Sequence, residues 1–269
     1  GVVVPEDPRI KHDIFTLRSD APHVKDGDIV RVRMTSFPSR REPAQGIVEE
    51  VLGHEGRPGA DVELIIARHK LATAFSATSL AEVEGAAVDA DEAFNSGRYV
   101  DLRDELVFTV DPDDAKDFDD AVSAACVRLE GPATLRAAHG ALAVEDGRLE
   151  AKSFHADSDD ASAKGARFFI LGVHIADVSH YVPWNSQVDL EARERATSVY
   201  LVDRVVPMLP EVLSNDVCSL RPNEERRAMS VEMLIDEKGS VRDARITPSV
   251  IQSKARLTYG IVQAAIDAT

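Results

Sequence analysis

The chain has 269 residues, 44% of them hydrophobic and 29% charged, with a net charge of −16. That is a globular composition, long enough for two domains. No apolar run reaches about 18 residues, so no membrane-spanning helix is expected, and the start lacks the basic-then-apolar order of a secretory signal. Two cysteines, Cys126 and Cys218, without metal-type spacing suit a reducing cytoplasm better than a disulfide framework. The opening Gly1-Val2-Val3-Val4, with no methionine, reads as an internal segment or a processed start. So large an acidic excess argues against a broad nucleic-acid surface. The acid is not spread evenly, however. Residues 71–130 carry 15 acidic and 4 basic residues, whereas residues 1–70 carry 12 and 11. Concentrated acid leaves two readings open, a divalent-metal site or a solvated acidic linker.

In chain order, residues 1–70 read as a small all-β domain. Val2–Val4, Ile29–Met34, Gly46–Leu52 and Val62–Ala67 are short β-branched or alternating runs, separated by turn-rich pieces such as Lys25-Asp26-Gly27-Asp28. Four or five short strands in this length fit a barrel of the oligonucleotide-binding (OB) type. Arg31 and Arg33 alternate on one strand face and Arg40 and Arg41 follow in a loop. Such a line of cations can track a phosphate backbone, or it can be an ordinary solvated face. Residues 71–100 read as a connector with a short Ala- and Glu-rich helix capped by Ser79 and stopped at Asn95-Ser96-Gly97.

From Asp101 onward, strand and helix patterns alternate. Leu106–Val110 and Phe168–Ile175 have strand length, the second suited to a buried central strand. Ser186–Ser198 has helical spacing, with Val188, Ala192 and Ala196 on one stripe. Met229–Ile235 and Val241–Ile246 flank Asp236-Glu237-Lys238-Gly239 as a hairpin, and Leu257–Ile266 begins a further helix. Glu130–Arg167 is poor in large apolar residues and reads as a partly flexible surface insertion. The expected class is therefore α+β, an OB-type barrel followed by an α/β domain.

The densest chemical signal is Asp111-Pro112-Asp113-Asp114-Ala115-Lys116-Asp117-Phe118-Asp119-Asp120, six carboxylates in ten residues. These repel one another unless cations or solvent compensate them. An EF-hand calcium loop would need Gly and Glu where Lys116 and Val122 stand. Carboxylates at a strand end beside a buried sheet lie where α/β enzymes place their sites. Oxygen ligands without His or Cys favour Mg²⁺ or Mn²⁺ over zinc. Metal-dependent phosphoryl chemistry, an inert acidic loop and calcium binding all remain open from these residues alone.

At this cluster the sequence resembles a family. Asp101-Leu102-Arg103, then Val110-Asp111-Pro112 and Asp117-Phe118-Asp119-Asp120-Ala121-Val122, look like the entry to the catalytic domain of the ribonuclease II and ribonuclease R exoribonucleases, the RNB-domain enzymes. The match continues in order through Leu171–Ser179, Arg195–Tyr200, Val206–Asn215, Cys218-Ser219-Leu220 and Ser253–Tyr259. Residues 1–70 are similar to the second cold-shock barrel that precedes this domain in ribonuclease R.

The resemblance implies processive 3′→5′ hydrolysis of single-stranded RNA to nucleoside 5′-monophosphates by a monomeric cytoplasmic enzyme. It implies that Asp111, Asp117, Asp119 and Asp120 hold Mg²⁺ in a two-metal site, that Tyr200 stacks on a base near the RNA 3′ end, and that Tyr259 contacts the ribose. Asp113 and Asp114 fall between the matched positions and receive no role. His174, in an apolar strand, is expected to be a core histidine. The family's catalytic domain extends well beyond Thr269, so this chain is expected to be an incomplete fragment of it. Two rivals stand beside the nuclease: a catalytically inactive RNA-binding module, and an acidic metal-binding structural domain.

Overall fold

The computed structural model describes residues 1–128, 142–145, 148–151 and 167–268. Alternating Val30, Val32 and Met34 turn one face of β3 (Asp28–Ser36) inward. With β1 (Val2–Val3), β2 (Ile14–Phe15) and β4 (Ala44–His54) this strand forms a sheet in the order β1-β2-β4-β3. The antiparallel β3–β4 pair carries three register shifts, and each such irregularity adds the twist that coils a sheet. Gly46 is required here, since a Cβ at that position would stand 2.4 Å from Val32 Cγ1.

The run Val62–Ala67, expected as a strand, instead lies in helix α1 (Ala60–His69). Its buried Val62 and Ile66 are four residues apart, a helical spacing. Gly59 starts the helix from a left-handed conformation. Asp61 and Glu63 occupy its first turn and Arg68 and His69 its last, the arrangement that complements the helix dipole. A short β-branched run cannot by itself distinguish a helix from a strand.

The second compact unit begins at Phe75. Helix α2 (Ala77–Glu82) is capped by Ser76 rather than by the expected Ser79. The Ser76 hydroxyl accepts from the Ser79 N–H at 3.1 Å, and Ser79 itself is buried. Helix α3 (Ala90–Asn95) is capped by Asp89 and followed by Gly97 at φ 67°. Strands β5 (Val100–Leu102), β6 (Val107–Asp111) and β7 (Asp120–Arg128) follow. Of the expected insertion, β8 (Leu142–Glu145) and β9 (Arg148–Ala151) pair antiparallel, Arg167 opens β10 (Arg167–Ala176), and the remainder lies outside the described residues.

After α4 (Val178–Tyr181), helix α5 (Gln187–Arg195) buries Val188 and Ala192 as expected. Ala196 falls past its end at φ 62°. The Glu82 carboxylate caps α5, accepting from the N–H groups of Gln187 and Val188 at 3.0 and 2.9 Å. Residues Arg195–Met208 then belong to the first unit. Arg195 donates to the carbonyls of Ala72 and Ala74 at 2.5 and 2.6 Å, and Arg204 pairs with Glu63 at 2.8 Å. This segment holds the short antiparallel pair β11 (Val199–Tyr200) and β12 (Val205–Val206).

Back in the second unit, a π-helical turn over Leu213–Val217 leads into β13 (Glu225–Asp236), β14 (Val241–Gln252), β15 (Ala255–Thr258) and α6 (Tyr259–Asp267). The seven-stranded sheet runs β15-β6-β7-β10-β13-β14-β5, with β10 at its centre, antiparallel to both neighbours. Leu257, expected in the helix, lies in β15; Thr258 caps α6 instead. The core beneath the sheet gathers Val107, Phe118, Val188, Leu213, Leu220 and Ile251. Among the described residues no helix is long and apolar enough to cross a membrane.

A chain of polar side chains crosses the buried side of this sheet. His174 Nε2 meets Ser123 Oγ at 3.1 Å, His174 Nδ1 meets Ser230 Oγ at 2.7 Å, and Ser230 Oγ meets Ser249 Oγ at 2.6 Å. The histidine is thus a satisfied core residue, and Gly172 leaves it room. A Cβ at Gly172 would stand 2.3 Å from Ser123 Oγ and 2.8 Å from His174 Nε2. Gly172→Ala is expected to destabilise the unit by about 1–3 kcal/mol through overpacking. Chemical denaturation against wild type measures it, and an unchanged midpoint would contradict the tight fit.

Candidate active site

Strands β6 and β7 pair antiparallel at Val107↔Ser123 and Phe108↔Val122. The acidic sequence is the loop between them, with Asp111 ending β6 and Asp120 opening β7. Asp111 is paired with Thr258 of β15, and Asp120 with Ile175 of β10. Both ends of the loop are therefore set by ladders in the central sheet.

Between those ends the loop backbone is pinned from outside. The Phe118 N–H donates to Ser219 Oγ at 3.1 Å, and that hydroxyl donates to the Lys116 carbonyl at 3.2 Å. The Leu220 N–H donates to the Phe118 carbonyl at 2.8 Å, and the Ala176 N–H to that of Asp119 at 2.9 Å. Buried Phe118, between Asp117 and Asp119, joins the core with Val107, Leu213 and Leu220.

Electrostatics ties the four matched aspartates together. The Asp119 carboxyl is held above the usual carboxylate range, first by burial and then by repulsion from Asp117, Asp120 and Asp111. Asp111 is itself buried, and its Oδ2 has no hydrogen-bond partner. A buried carboxylate oxygen without a donor is costly unless a cation meets it. The donor set, all carboxylate oxygen, thus fits a hard divalent ion. As the side chains stand, no three His, Cys, Asp or Glu residues among those described form a cluster arranged to hold one.

The other expected site residues are distributed unevenly. Tyr259, exposed, begins α6 one residue after the partner of Asp111. Tyr200, also exposed, lies on β11 in the first unit. Arg31 and Arg33 share one face of β3 but are paired with Glu50 at 2.7 Å and Glu49 at 2.6 Å on β4. Arg40 and Arg41 form no ion pair among the described residues and line an open cleft with Lys11, His12 and Phe15.

Ser219 and Arg256 lie within motifs visible in the sequence, yet nothing there gave them a task. A serine inside the apolar stretch Val217–Leu220 is the available signal, because a buried hydroxyl must find partners. Asp177, likewise unassigned, is buried and accepts from the Tyr99 hydroxyl at 2.7 Å and that of Ser179 at 2.7 Å.

The RNB domain profile matches residues 99–269 and a cold-shock domain profile matches residues 3–76. Ribonuclease R of Aquifex aeolicus is 36% identical over 264 residues, 98% of this chain and 32% of the relative. That of Escherichia coli is 36% identical over 259 residues, 96% of this chain and 27% of the relative. The chain therefore spans about a third or less of the curated relatives it matches. Among solved structures, Mycoplasma genitalium RNase R in complex with double-stranded RNA superposes with a TM-score of 0.77 at 25% identity, covering 99% of this chain and 42% of that one. Yeast Ssd1, a pseudonuclease, shares the fold at a TM-score of 0.65 and 17% identity, covering 99% of this chain and 30% of that one. With well over half of its residues matching the RNB domain, a cold-shock domain ahead of it, and ribonuclease R aligned along nearly its whole length, the chain belongs to the RNB-domain family of ribonuclease R.

Proposed function

We propose that this chain carries the cleaving site of a cytoplasmic 3′→5′ exoribonuclease that hydrolyses single-stranded RNA processively to nucleoside 5′-monophosphates. The observation that carries the reading is the set of four aspartates closing on one loop, with Asp119 raised by its neighbours and Asp111 buried without a donor. Asp111, Asp117, Asp119 and Asp120 would hold Mg²⁺, or Mn²⁺ in its place. A pair of such ions supplies Lewis acidity and charge neutralisation at a scissile phosphate.

The chain's own residues do the rest. Asp111 and Asp120, fixed by their strand ladders, keep the carboxylates in place while a phosphodiester is presented to them. Tyr200 offers a ring face to a base near the 3′ end, a contact indifferent to sequence. Tyr259, at the start of α6 and next in sequence to the residue that pairs with Asp111, would contact a ribose, where the 2′-hydroxyl distinguishes RNA from DNA. Relatives support the substrate class: RNase R of Mycoplasma genitalium has been solved with RNA bound.

On the barrel, phosphate contact falls to Arg40 and Arg41 rather than to Arg31 and Arg33, whose charge Glu50 and Glu49 already answer. Replacing both Arg40 and Arg41 by Ala is expected to flatten the slope of log affinity against log salt by about 1.4 for single-stranded RNA. The Arg31→Ala/Arg33→Ala pair should change it less. Fluorescence anisotropy over a salt series reads both slopes, and equal losses would refute the distinction.

RNA binding without cleavage is the second reading. It is favoured by the lack of a three-ligand cluster among the described side chains and by a fold shared with a pseudonuclease. Incubating labelled single-stranded RNA with Mg²⁺ separates the two. Stepwise loss from the 3′ end that depends on the aspartates supports the nuclease, and retention of intact RNA supports the binder.

A further inference from the structure

We propose that Arg256 is a positioning residue that clamps the aspartate loop and sets the approach of its carboxylates to a divalent ion. This inference rests on the metal-site reading above. The parallel β15–β6 ladder places Arg256 opposite Thr109, two residues before Thr258 meets Asp111. From there its Nη2 donates to two successive carbonyls, Pro112 at 2.8 Å and Asp113 at 2.7 Å, immediately after Asp111. The guanidinium carbon also lies 5.1 Å from the centroid of the Phe118 ring, between Asp117 and Asp119. One side chain thus touches both the outgoing and the returning arm of the loop.

The choice of partners matters chemically. Both hydrogen bonds go to backbone oxygens, so the clamp fixes the loop's path without spending a carboxylate that an ion would need. An arginine recruited to pair with one carboxylate would bond it directly in a fork, whereas both of these charge-assisted bonds end on carbonyl oxygens. Arg256 Nε is buried without a partner, a cost the arrangement bears to hold the group in this orientation. Ser219 restrains the returning arm from the other side through Phe118 and Lys116. Outer groups of this kind orient metal ligands, and their loss commonly costs 10- to 100-fold in affinity.

The test compares wild type, Arg256→Met and Arg256→Lys by two readouts that need no turnover. Methionine retains an apolar stem over Phe118 but offers no donor; lysine can restore one carbonyl bond. In metal-free protein, amide exchange at residues 113–119 is expected to rise about tenfold in the methionine variant, with β13 and β14 unchanged. Mn²⁺ affinity, followed by electron paramagnetic resonance, should fall by about 10- to 100-fold. The lysine variant should lie between on both measures. Wild-type exchange and Mn²⁺ affinity in Arg256→Met would overturn the proposal. Should that variant fail to fold, Arg256→Lys decides, since wild-type values there overturn it and intermediate ones support it. If wild-type protein itself binds no Mn²⁺, the metal-site reading falls, and the exchange data alone still decide whether Arg256 holds the loop.

Discussion

In the Asp120→Asn variant, RNA shortening is expected to fall by about 10³-fold or more, several kcal/mol of barrier, while affinity for RNA is unchanged or rises. The expectation follows from where Asp120 sits. Its backbone is fixed in the β7–β10 ladder opposite Ile175, so the isosteric amide leaves the loop in place and removes only charge and basicity. One fewer negative charge also lessens the repulsion that a phosphate meets at the loop, and it lowers the proton affinity of Asp119, part of which Asp120 causes. Single-turnover cleavage and anisotropy measure the two effects separately. Turnover within tenfold of wild type would remove Asp120 from the site.

The second large effect is a loss of stability in acid that originates at His174. Burial pushes its imidazole down from 6.5 to about 4. The unfolded chain therefore binds a proton between those values that the folded chain refuses. Stability from this group is full above pH 6.5, declines as the pH falls, and levels off below about 4, a total of about 3 kcal/mol. Glu232 and Asp119, whose carboxyls are raised mainly by burial, act in the opposite direction. Comparison with His174→Gln isolates the imidazole, because the amide stays neutral while still offering a donor and an acceptor to Ser123 and Ser230. Denaturation midpoints across this pH range should slope in wild type more steeply than in the variant. Equal slopes would place the acid sensitivity elsewhere.

Much of this was legible in the sequence wherever the signal was local. The carboxylate loop, the strand that leads into it, the β13–β14 hairpin and the core role of His174 follow from composition and period, whereas β7 on its far side was not expected. Val62–Ala67 was not legible, because a short apolar run suits a helix and a strand equally, and the decision lay in Gly59 and the charges at the helix ends. Arg31 and Arg33 alternate on one face as expected, but Glu49 and Glu50, which answer them, come from across the ladder. Ser219 and Arg256 stand 101 and 144 residues from the loop atoms they hold. Contacts at such separation depend on sheet order, here the placing of β15 beside β6, which no local pattern encodes. The return of Arg195–Met208 to the first unit is hidden for the same reason.

The most direct test of the central claim is a sequencing gel of 5′-labelled single-stranded RNA incubated with Mg²⁺ and the protein in the full-length form the cell makes, with Asp120→Asn beside it. The account predicts a ladder that shortens stepwise from the 3′ end, releases nucleoside 5′-monophosphates, and is absent in the variant. Intact RNA, internal cuts, or a ladder unaffected by Asp120→Asn would contradict it.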